Sequence, residues 1–372
     1  MAYETVESHR RMALDGVRNA PYFAALQRVI TPESVVLDLG AGTGVLGLMA
    51  ARLGAKRVYL VEPSDVITVA EEIAAANGLG DTVCILHGRL DEVVIPEQVD
   101  VIVSVMTGNF LLTEDLLPVL FQARDTLLKP GGHLIPDMAV MEAVPVAAPG
   151  IHAMHVSSWS VPQHGVDLSA ARKYAANSIV YGPKGLADVT YLAQPADLLS
   201  LDFTHATYDP LHARVTFEVT EDGTCDGLAG WFRMRLGDTW LSTSPTSSQT
   251  HWSGAFLPID PPLAVRKGEP LSLAMDRLPE GDWSWRLTGS GGARRHSTLL
   301  GAPLTPELLK KGAREYVPPR TDDVKVTAFV LSCIDGTLDA ASMAARVQAM
   351  FPERFASIES AMTFTQRLLS RF

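Results

Sequence analysis

A short apolar run that ends in alternating glycines constrains this chain more than any other feature. Residues 35–39 form a β-branched segment of the kind that fills a buried parallel strand. Three glycines follow it at once, where they let the backbone turn tightly against a ligand: Gly40, Gly42 and Gly44. A helical stretch at 45–52 and a second strand at 57–61 come next, and Glu62 ends that region. The pattern predicts a strand–turn–helix–strand unit with a ligand site at the carboxyl edge of a parallel sheet.

The details of this unit narrow the choice of cofactor. A dinucleotide-binding turn reads G-x-G-x-x-G, and Val45 stands where its last glycine would be. A phosphate-binding loop would continue with Lys and then Ser or Thr, which this segment does not do. A carboxylate at Glu62 can accept hydrogen bonds from both hydroxyls of a ribose. The sequence therefore predicts S-adenosylmethionine (SAM), with S-adenosylhomocysteine as product and no metal; the alternative is an ordinary tight strand–helix turn.

Composition and charge limit the class of protein. The chain has 372 residues, enough for two or three domains, and 47% of them are hydrophobic, as in soluble globular proteins. The net charge of −11 disfavours a nucleic-acid partner. The three cysteines lie far apart in the sequence and match neither a metal site nor a disulfide framework. We see no leader peptide and no apolar run long enough to span a bilayer, so we expect a cytoplasmic protein with no membrane partner.

The pattern of strands and helices changes along the chain. Residues 1–30 have helical spacing, and strands then alternate with helices from 35 to about 145, which predicts a mainly parallel sheet. Short alternating runs fill 196–300 and predict an antiparallel β-sandwich or barrel. After the linker Pro318-Pro319, three helical patterns predict a small helical module or a winged helix.

Several dispersed motifs, in order, resemble those of the protein arginine methyltransferases. They are His9–Arg18, similar to the family's cofactor-capping helix; Gly88–Val93; Ala123-Arg124-Asp125 with Pro136-Asp137; and Ser242–Pro245 with Thr250-His251-Trp252, similar to the family's threonine–histidine–tryptophan loop. The resemblance covers residues 3 to about 290. It implies an α/β Rossmann-like methyltransferase domain at 1–140 and an antiparallel β-barrel domain at 141–318, with a helical dimerisation arm at 151–183 that makes a homodimer. A small helical or winged-helix C-terminal module at 319–372 lies outside the family pattern.

The resemblance also implies roles for individual residues. Arg18 would grip the SAM carboxylate, Met12 would pack near the sulfonium, and Asp91 would accept from the adenine amine. The predicted cofactor-binding residues are Met12, Arg18, Asp38, Gly40, Gly42, Gly44, Glu62, Pro63, Leu90, Asp91 and Ser104. Glu114 would anchor or deprotonate the acceptor, and His251, oriented by Asp15, is a second candidate base. The predicted substrate-binding residues are Tyr3, Val105, Met106, Asn109 and Trp252.

The acceptor hairpin, residues 104–114, departs from the family pattern. Family members clamp a guanidinium between two glutamates, because paired carboxylates give it bidentate, charge-assisted hydrogen bonds. Glu114 matches the second glutamate, Val105 replaces the first, and Met106-Thr107 replaces a tryptophan–methionine pair. Each unpaired buried donor costs about 1–3 kcal/mol. The hairpin therefore predicts a small-molecule acceptor, such as a ring or amine nitrogen, a hydroxyl or an electron-rich carbon, in specialised metabolism or natural product biosynthesis.

Two alternatives stay open. The first is a peptide or protein N-methyltransferase of the arginine type that docks its substrate through the C-terminal module. Phe329–Thr337 is similar to the opening of small winged-helix domains that bind a leader peptide by strand addition, although a structural cap would also explain the module. The second is a non-catalytic, SAM-binding regulatory subunit, which the intact Arg18, Glu62 and Glu114 disfavour.

Overall fold

A parallel sheet with the strand order β3-β2-β1-β4-β5 forms the first layer of the fold. A computed structural model of the chain describes residues 5–370. The strands are β1 (Val35–Leu39), β2 (Arg57–Glu62), β3 (Val83–His87), β4 (Val99–Ser104) and β5 (Leu128–Ile135). The helices are α1 (Val6–Ala13), α2 (Gly16–Val29), α3 (Val45–Arg52), α4 (Ile67–Ala76) and α5 (Leu117–Leu127). Every residue of β1 is buried, as expected for a strand with neighbours on both sides.

The strand order reverses between β1 and β4. The chain runs from β1 outward through β2 to β3 and then returns to pair β4 with the other side of β1. In open α/β sheets, ligands bind beyond the carboxyl ends of the strands at such a reversal. The glycine turn follows β1 and the acceptor hairpin follows β4, so the topology brings both predicted binding segments to one edge of the sheet.

Antiparallel strands form the second layer. A seven-stranded sheet has the order β7-β13-β11-β6-β8, with β12 also paired to β11 and β9 to β6, and a four-stranded sheet has the order β10-β14-β15-β16. The strands are β6 (Met138–Ala147), β7 (Val180–Tyr181), β8 (Thr190–Tyr191), β9 (Ala196–Asp202), β10 (Leu211–Glu218), β11 (Gly223–Leu236), β12 (Thr239–Ser242), β13 (Ala255–Val265), β14 (Pro270–Arg277), β15 (Trp283–Gly289) and β16 (Gly292–Ser297). Between β6 and β7 lie the short helices α6 (Pro149–His155) and α7 (Arg172–Ala175). One continuous hydrophobic core includes Leu37, Phe232 and Trp285, so both layers share it.

The chain divides into two units between Pro303 and Leu304. The second unit contains α8 (Pro306–Lys311), α9 (Asp322–Ser332), α10 (Ala340–Met350) and α11 (Ile358–Leu369). It has its own core, which includes Val330, Val347 and Phe355. Residues 304–370 contain helices and no strand, which favours the helical alternative for the C-terminal module over the winged helix. Between residues 5 and 370, none of the helices is both long and apolar enough to cross a bilayer.

The predicted fold class, an α/β Rossmann-like domain followed by an antiparallel domain, is confirmed. The helical N-terminal segment breaks in two at Asp15, because that side chain caps the start of α2 and accepts the backbone N–H of Arg18 at 3.0 Å. The helix α5 begins only at Leu117, because Glu114 and Asp115 before it have the left-handed φ values 76° and 52°.

Candidate functional site

The glycine turn after β1 forms the floor of the candidate site. Gly40, Gly42 and Gly44 have φ values of 71°, 54° and 78°, a region in which other residues are strained. A Cβ atom added to Gly42 would lie 2.7 Å from Nδ1 of His9, so α1 packs directly over this turn. The turn therefore depends on glycine both for its conformation and for the close approach of its neighbour.

Two buried carboxylates flank the turn. The backbone N–H of Gly42 donates to Oε2 of Glu62 at 3.0 Å, and the N–H and hydroxyl of Ser64 donate to Oε1 at 3.0 and 2.7 Å. A carboxylate has about four acceptor sites, so Glu62 is fixed in place and can still accept a ribose hydroxyl. Asp38 accepts the N–H of Gly47 at 2.7 Å. Burial raises the pKa of Asp38 to about 7, in spite of that hydrogen bond.

A buried arginine lies on α2. Arg18 is 2% exposed, and its Nε and Nη2 donate to Oδ1 of Asn19 at 2.9 and 2.7 Å. Burial lowers its pKa, and the nearby Tyr22 and Asp15 oppose that effect. The Tyr22 hydroxyl donates to the carbonyl of Ser104 at 2.9 Å, which ties α2 to the end of β4. A guanidinium in such a setting suits the carboxylate of a bound amino acid moiety.

The threonine–histidine–tryptophan loop meets the N-terminus of α2. The backbone N–H and Nδ1 of His251 lie 2.7 and 3.0 Å from Oδ2 of Asp15. Burial lowers the pKa of His251 to about 4, and the hydrogen bond that its ring donates to Asp15 only partly opposes this. The ring is therefore neutral near pH 7, and a proton on Nδ1 leaves Nε2 as the acceptor. The predicted pairing of Asp15 with His251 is present.

The same loop holds the acceptor hairpin. Nε1 of Trp252 donates to the carbonyl of Thr107 at 2.9 Å, and the N–H of Ser253 donates to Oδ1 of Asn109 at 2.8 Å. Val105 and Met106 are partly buried. Met106 also borders the glycine turn, because a Cβ atom on Gly40 would lie 3.0 Å from its sulfur. The structure thus joins the hairpin, the turn and the loop around one edge of the sheet.

Other predicted residues are more peripheral. Glu114 and Pro63 are exposed. The Asp91 side chain is 64% exposed and lies 3.5 Å from the Arg89 guanidinium. Met12 and Leu90 are partly buried, and Tyr3 lies outside the described residues. No group of three or more His, Cys, Asp or Glu residues within 5–370 is arranged to hold a metal.

Four residues near the turn were not predicted to take part. They are His9, Asn19, Tyr22 and Ser64, which pack over the turn or hold Arg18, Ser104 and Glu62 in place. His9 lies three positions before Met12 on α1, so helical spacing puts the two on one face, a signal that could have identified it. The supporting roles of the others depend on tertiary contacts. Together with the glycine turn and Glu62, these residues fit a SAM molecule.

Known families match most of the first unit. Residues 22–137 match the family described as "Ribosomal protein L11 methyltransferase (PrmA)", and residues 137–287 match the "Arginine methyltransferase oligomerization subdomain". The probable protein arginine N-methyltransferase 6 of Arabidopsis thaliana is 32% identical over 70% of this chain and 61% of its own length. Protein arginine N-methyltransferase 6 of Xenopus laevis is 33% identical over 71% and 82% of the two chains. This chain therefore spans less than two thirds of the Arabidopsis relative.

Solved structures give the same answer for the fold. The Trypanosoma brucei PRMT1 enzyme–prozyme heterotetrameric complex with AdoHcy aligns with a TM-score of 0.72 and 26% identity, over 80% of this chain and 99% of that one. Arabidopsis thaliana protein arginine methyltransferase 10 aligns with a TM-score of 0.68 and 23% identity, over 80% and 99% of the two chains.

The prediction of a small-molecule acceptor in specialised metabolism, or natural product biosynthesis, is wrong. The curated relatives carry names of protein arginine N-methyltransferases, which favours the peptide or protein alternative. The error came from the weight given to Val105 alone. One carboxylate can bind a guanidinium through two parallel hydrogen bonds, so the loss of the other does not exclude arginine.

The motifs, the order of the two sheets and the relatives agree with one another. The resemblance seen in the sequence, to a class I SAM-dependent methyltransferase of the arginine methyltransferase type, is confirmed. The chain belongs to the protein arginine N-methyltransferase family.

Proposed function

We propose that this chain transfers a methyl group from SAM to a guanidino nitrogen of arginine in a peptide or protein. The observation that carries the proposal is the convergence of three segments at the carboxyl edge of the sheet: the glycine turn, the hairpin with Glu114 and the loop with His251. SAM supplies the electrophilic methyl group when it is bound. Methyl transfer needs alignment of two reactants more than covalent help, so positioning by these segments governs the rate.

Each side chain has one task in this proposal. Arg18 holds the amino acid carboxylate of SAM, Glu62 holds its ribose, and Asp91 accepts from its adenine amine. Glu114 orients the acceptor guanidinium through a bidentate pair. His251 is neutral near pH 7, because burial lowers its pKa to about 4, and it can accept the proton that the methylated nitrogen releases.

The remaining predicted site residues shape the two pockets. We assign Met12, Asp38, Leu90, Pro63 and Ser104 to the cofactor side. We assign Tyr3, Val105, Met106, Asn109 and Trp252 to the acceptor side. The assignments rest on the family motifs and on the contacts of the hairpin with the loop. We also propose the domain limits 1–140, 141–318 and 319–372, and a cytoplasmic location.

We further propose a homodimer formed through the arm at 151–183. Residues 137–287 match an oligomerization subdomain, which supports assembly of copies. The arm exposes large apolar side chains that an isolated chain would leave in water: Met154 (61% exposed), Trp159 (40%), Val161 (55%) and Val166 (58%). Light scattering at micromolar concentration should give the mass of two chains, and a monomer mass would contradict the proposal.

The test of the activity compares two peptides that differ at one position. One carries a single arginine, and the other carries lysine in its place. We expect formation of S-adenosylhomocysteine with the arginine peptide alone. Glu114→Gln should lower that rate by about a hundredfold or more, since it removes the bidentate carboxylate that aligns the acceptor. Equal turnover of both peptides, or an unaffected Glu114→Gln variant, would contradict the proposal.

A further inference from the structure

The end of the acceptor hairpin, together with Asp115 that follows it, has a strained backbone conformation. Four non-glycine residues have left-handed φ values: Phe110 (50°), Leu111 (64°), Glu114 (76°) and Asp115 (52°). Residues other than glycine adopt this region only when their surroundings hold them there, and such strain clusters at functional sites. Glu114, the carboxylate proposed to bind the acceptor guanidinium, therefore lies in a segment whose conformation must be held by contacts with other parts of the protein.

The side chain next to Glu114 supplies that restraint. Oδ1 and Oδ2 of Asp115 accept a bidentate pair from Nη1 and Nη2 of Arg277, at 2.8 and 2.5 Å. The Tyr208 hydroxyl also donates to Oδ1, and so does the backbone N–H of Glu280, at 3.0 Å. Two segments of the antiparallel layer thus converge on one carboxylate: the loop before β10, and the end of β14 with the turn that follows it. Burial alone would raise its pKa, but these bonds lower the pKa of Asp115 to about 2, so it is ionised throughout the neutral range.

Arg277 is linked back to the hairpin through one aromatic ring, Trp283 of β15. It is 7% exposed, and its Cζ lies 5.2 Å from the ring centre of Trp283. Trp283 stacks on Phe110 of the hairpin at 5.3 Å. Phe110 is fully buried in a space that Gly230 of β11 leaves open, since a Cβ atom there would lie 2.4 Å from its ring. The hairpin is held at both ends of its strained stretch by the same arginine–tryptophan pair.

We propose that Asp115 is a positioning residue, which locks the hairpin to the antiparallel layer through Arg277 and so holds Glu114 in the orientation that the acceptor guanidinium requires. The proposal rests on the proposed function, because Glu114 is its point of action. In this chain Val105 replaces the first glutamate of the family, so Glu114 is the single carboxylate on the hairpin. The orientation of the acceptor guanidinium therefore depends on the alignment of Glu114 alone.

The test combines amide hydrogen exchange with a double-mutant cycle on the full chain. Asp115→Asn keeps the shape of the side chain and removes the charge that Arg277 pairs with. We expect exchange across residues 107–117 to speed up by about tenfold. We expect kcat with the arginine peptide to fall by about tenfold or more, with the Kd for SAM nearly unchanged. In a Glu114→Gln background the same change should cost less than about threefold, because the residue it acts through is already lost.

A matched control separates this role from general stability. Asp137 also forms a bidentate pair, with Nε and Nη2 of Arg235 at 2.8 and 3.0 Å, where β5 leads into β6. Asp137→Asn should leave amide exchange in the hairpin unchanged, and it should show no coupling to Glu114→Gln in a double-mutant cycle. Tyr208→Phe keeps the ion pair and removes the two hydrogen bonds of the hydroxyl, one donated to Oδ1 of Asp115 and one accepted from Nη1 of Arg277. It should give the same pattern at smaller size if Asp115→Asn does not fold.

The outcomes are distinguishable. Unchanged exchange of residues 107–117 in both Asp115→Asn and Tyr208→Phe would overturn the proposed lock. Faster exchange with losses of kcat that simply multiply with those of Glu114→Gln would overturn the positioning role, because a merely structural effect is independent of Glu114. A wild-type chain that binds SAM but never methylates arginine would overturn the proposed function and this role with it, whereas the exchange comparison would still report on the lock itself.

Discussion

Asp15 joins α2 to the threonine–histidine–tryptophan loop, and its replacement should show how much the site depends on this one side chain. It accepts three hydrogen bonds, from the N–H of Arg18 at 3.0 Å and from the N–H and Nδ1 of His251 at 2.7 and 3.0 Å. Asp15→Ala removes a helix cap, which costs about 1 kcal/mol. It also leaves two donors of His251 without an acceptor in a largely buried place, at about 1–3 kcal/mol each.

Together these losses lower the free energy of unfolding by about 4 kcal/mol. For a unit of this size, the average unfolding entropy per residue converts that loss into a fall in Tm of about 6 °C. Asp15→Asn should behave differently, because asparagine caps a helix nearly as well and loses only the charge-assisted part of the bonds. We expect it to cost about 1 kcal/mol of stability, and to lower kcat by about tenfold because the His251 ring is less firmly oriented.

Scanning calorimetry and peptide turnover measure the two effects on the same variants. Asp339→Ala serves as a control for capping alone, since Asp339 caps α10 by accepting the N–H of Ser342 at 2.7 Å and is exposed to solvent. The reasoning would be refuted if Asp15→Ala cost no more than that control. It would also be refuted if Asp15→Asn left kcat unchanged.

Four further predictions test other parts of the account. Gly42→Ala puts a Cβ atom 2.7 Å from His9 Nδ1 at a φ of 54°, so titration calorimetry should find SAM binding lost, and retained binding would contradict this. Glu62→Gln should raise the Kd for SAM about tenfold or more, because a hydrogen bond to a charged group contributes about 1.5–3 kcal/mol. A Kd within twofold of wild type, which corresponds to a change of about 0.4 kcal/mol in binding free energy, would contradict this. Burial lowers the pKa of His251 to about 4 in the folded chain, against about 6.5 in the unfolded one. The unfolded chain therefore binds the extra proton between those pH values, and the free energy of unfolding should fall by about 3 kcal/mol on acidification. An NMR titration of the folded chain that gave His251 a pKa near 6.5 would refute this. Deletion of residues 304–372 should raise the KM for peptide with SAM binding intact if the module docks substrate, and an unchanged KM would exclude that role.

The fold was predictable because its signals are local. The apolar run 35–39 and the glycines after it occupy consecutive positions, and the helix predicted at 45–52 has those bounds in the structure. The break at Asp15 was missed because apolar spacing continues across it. At this break Asp15 accepts hydrogen bonds from His251, which lies 236 positions away in the sequence. Periodicity describes a segment and its faces, and it carries no information about partners at such distances.

The candidate site divides in the same way. The roles of Met12, Arg18 and Asp91 came from the resemblance and stay proposals, whereas the glycine turn with Glu62 was predicted from a compact local motif. The support of the acceptor side was not, because Asp115 meets Arg277 across 162 positions and neither residue is unusual in its local sequence. The substitution at Val105 was visible and was given too much weight, since a single position was set against the similarity of the whole first unit to protein arginine N-methyltransferases.

The most direct test of the central claim is the chemical identity of the methylated atom. The purified chain would be incubated with methyl-labelled SAM and a peptide that contains arginine, lysine and histidine, and the product would be fragmented by tandem mass spectrometry. The account predicts label on the guanidino group of arginine, in wild type and at a lower level in Asp115→Asn. Label on lysine or histidine alone, or SAM binding with no labelled peptide, would contradict it.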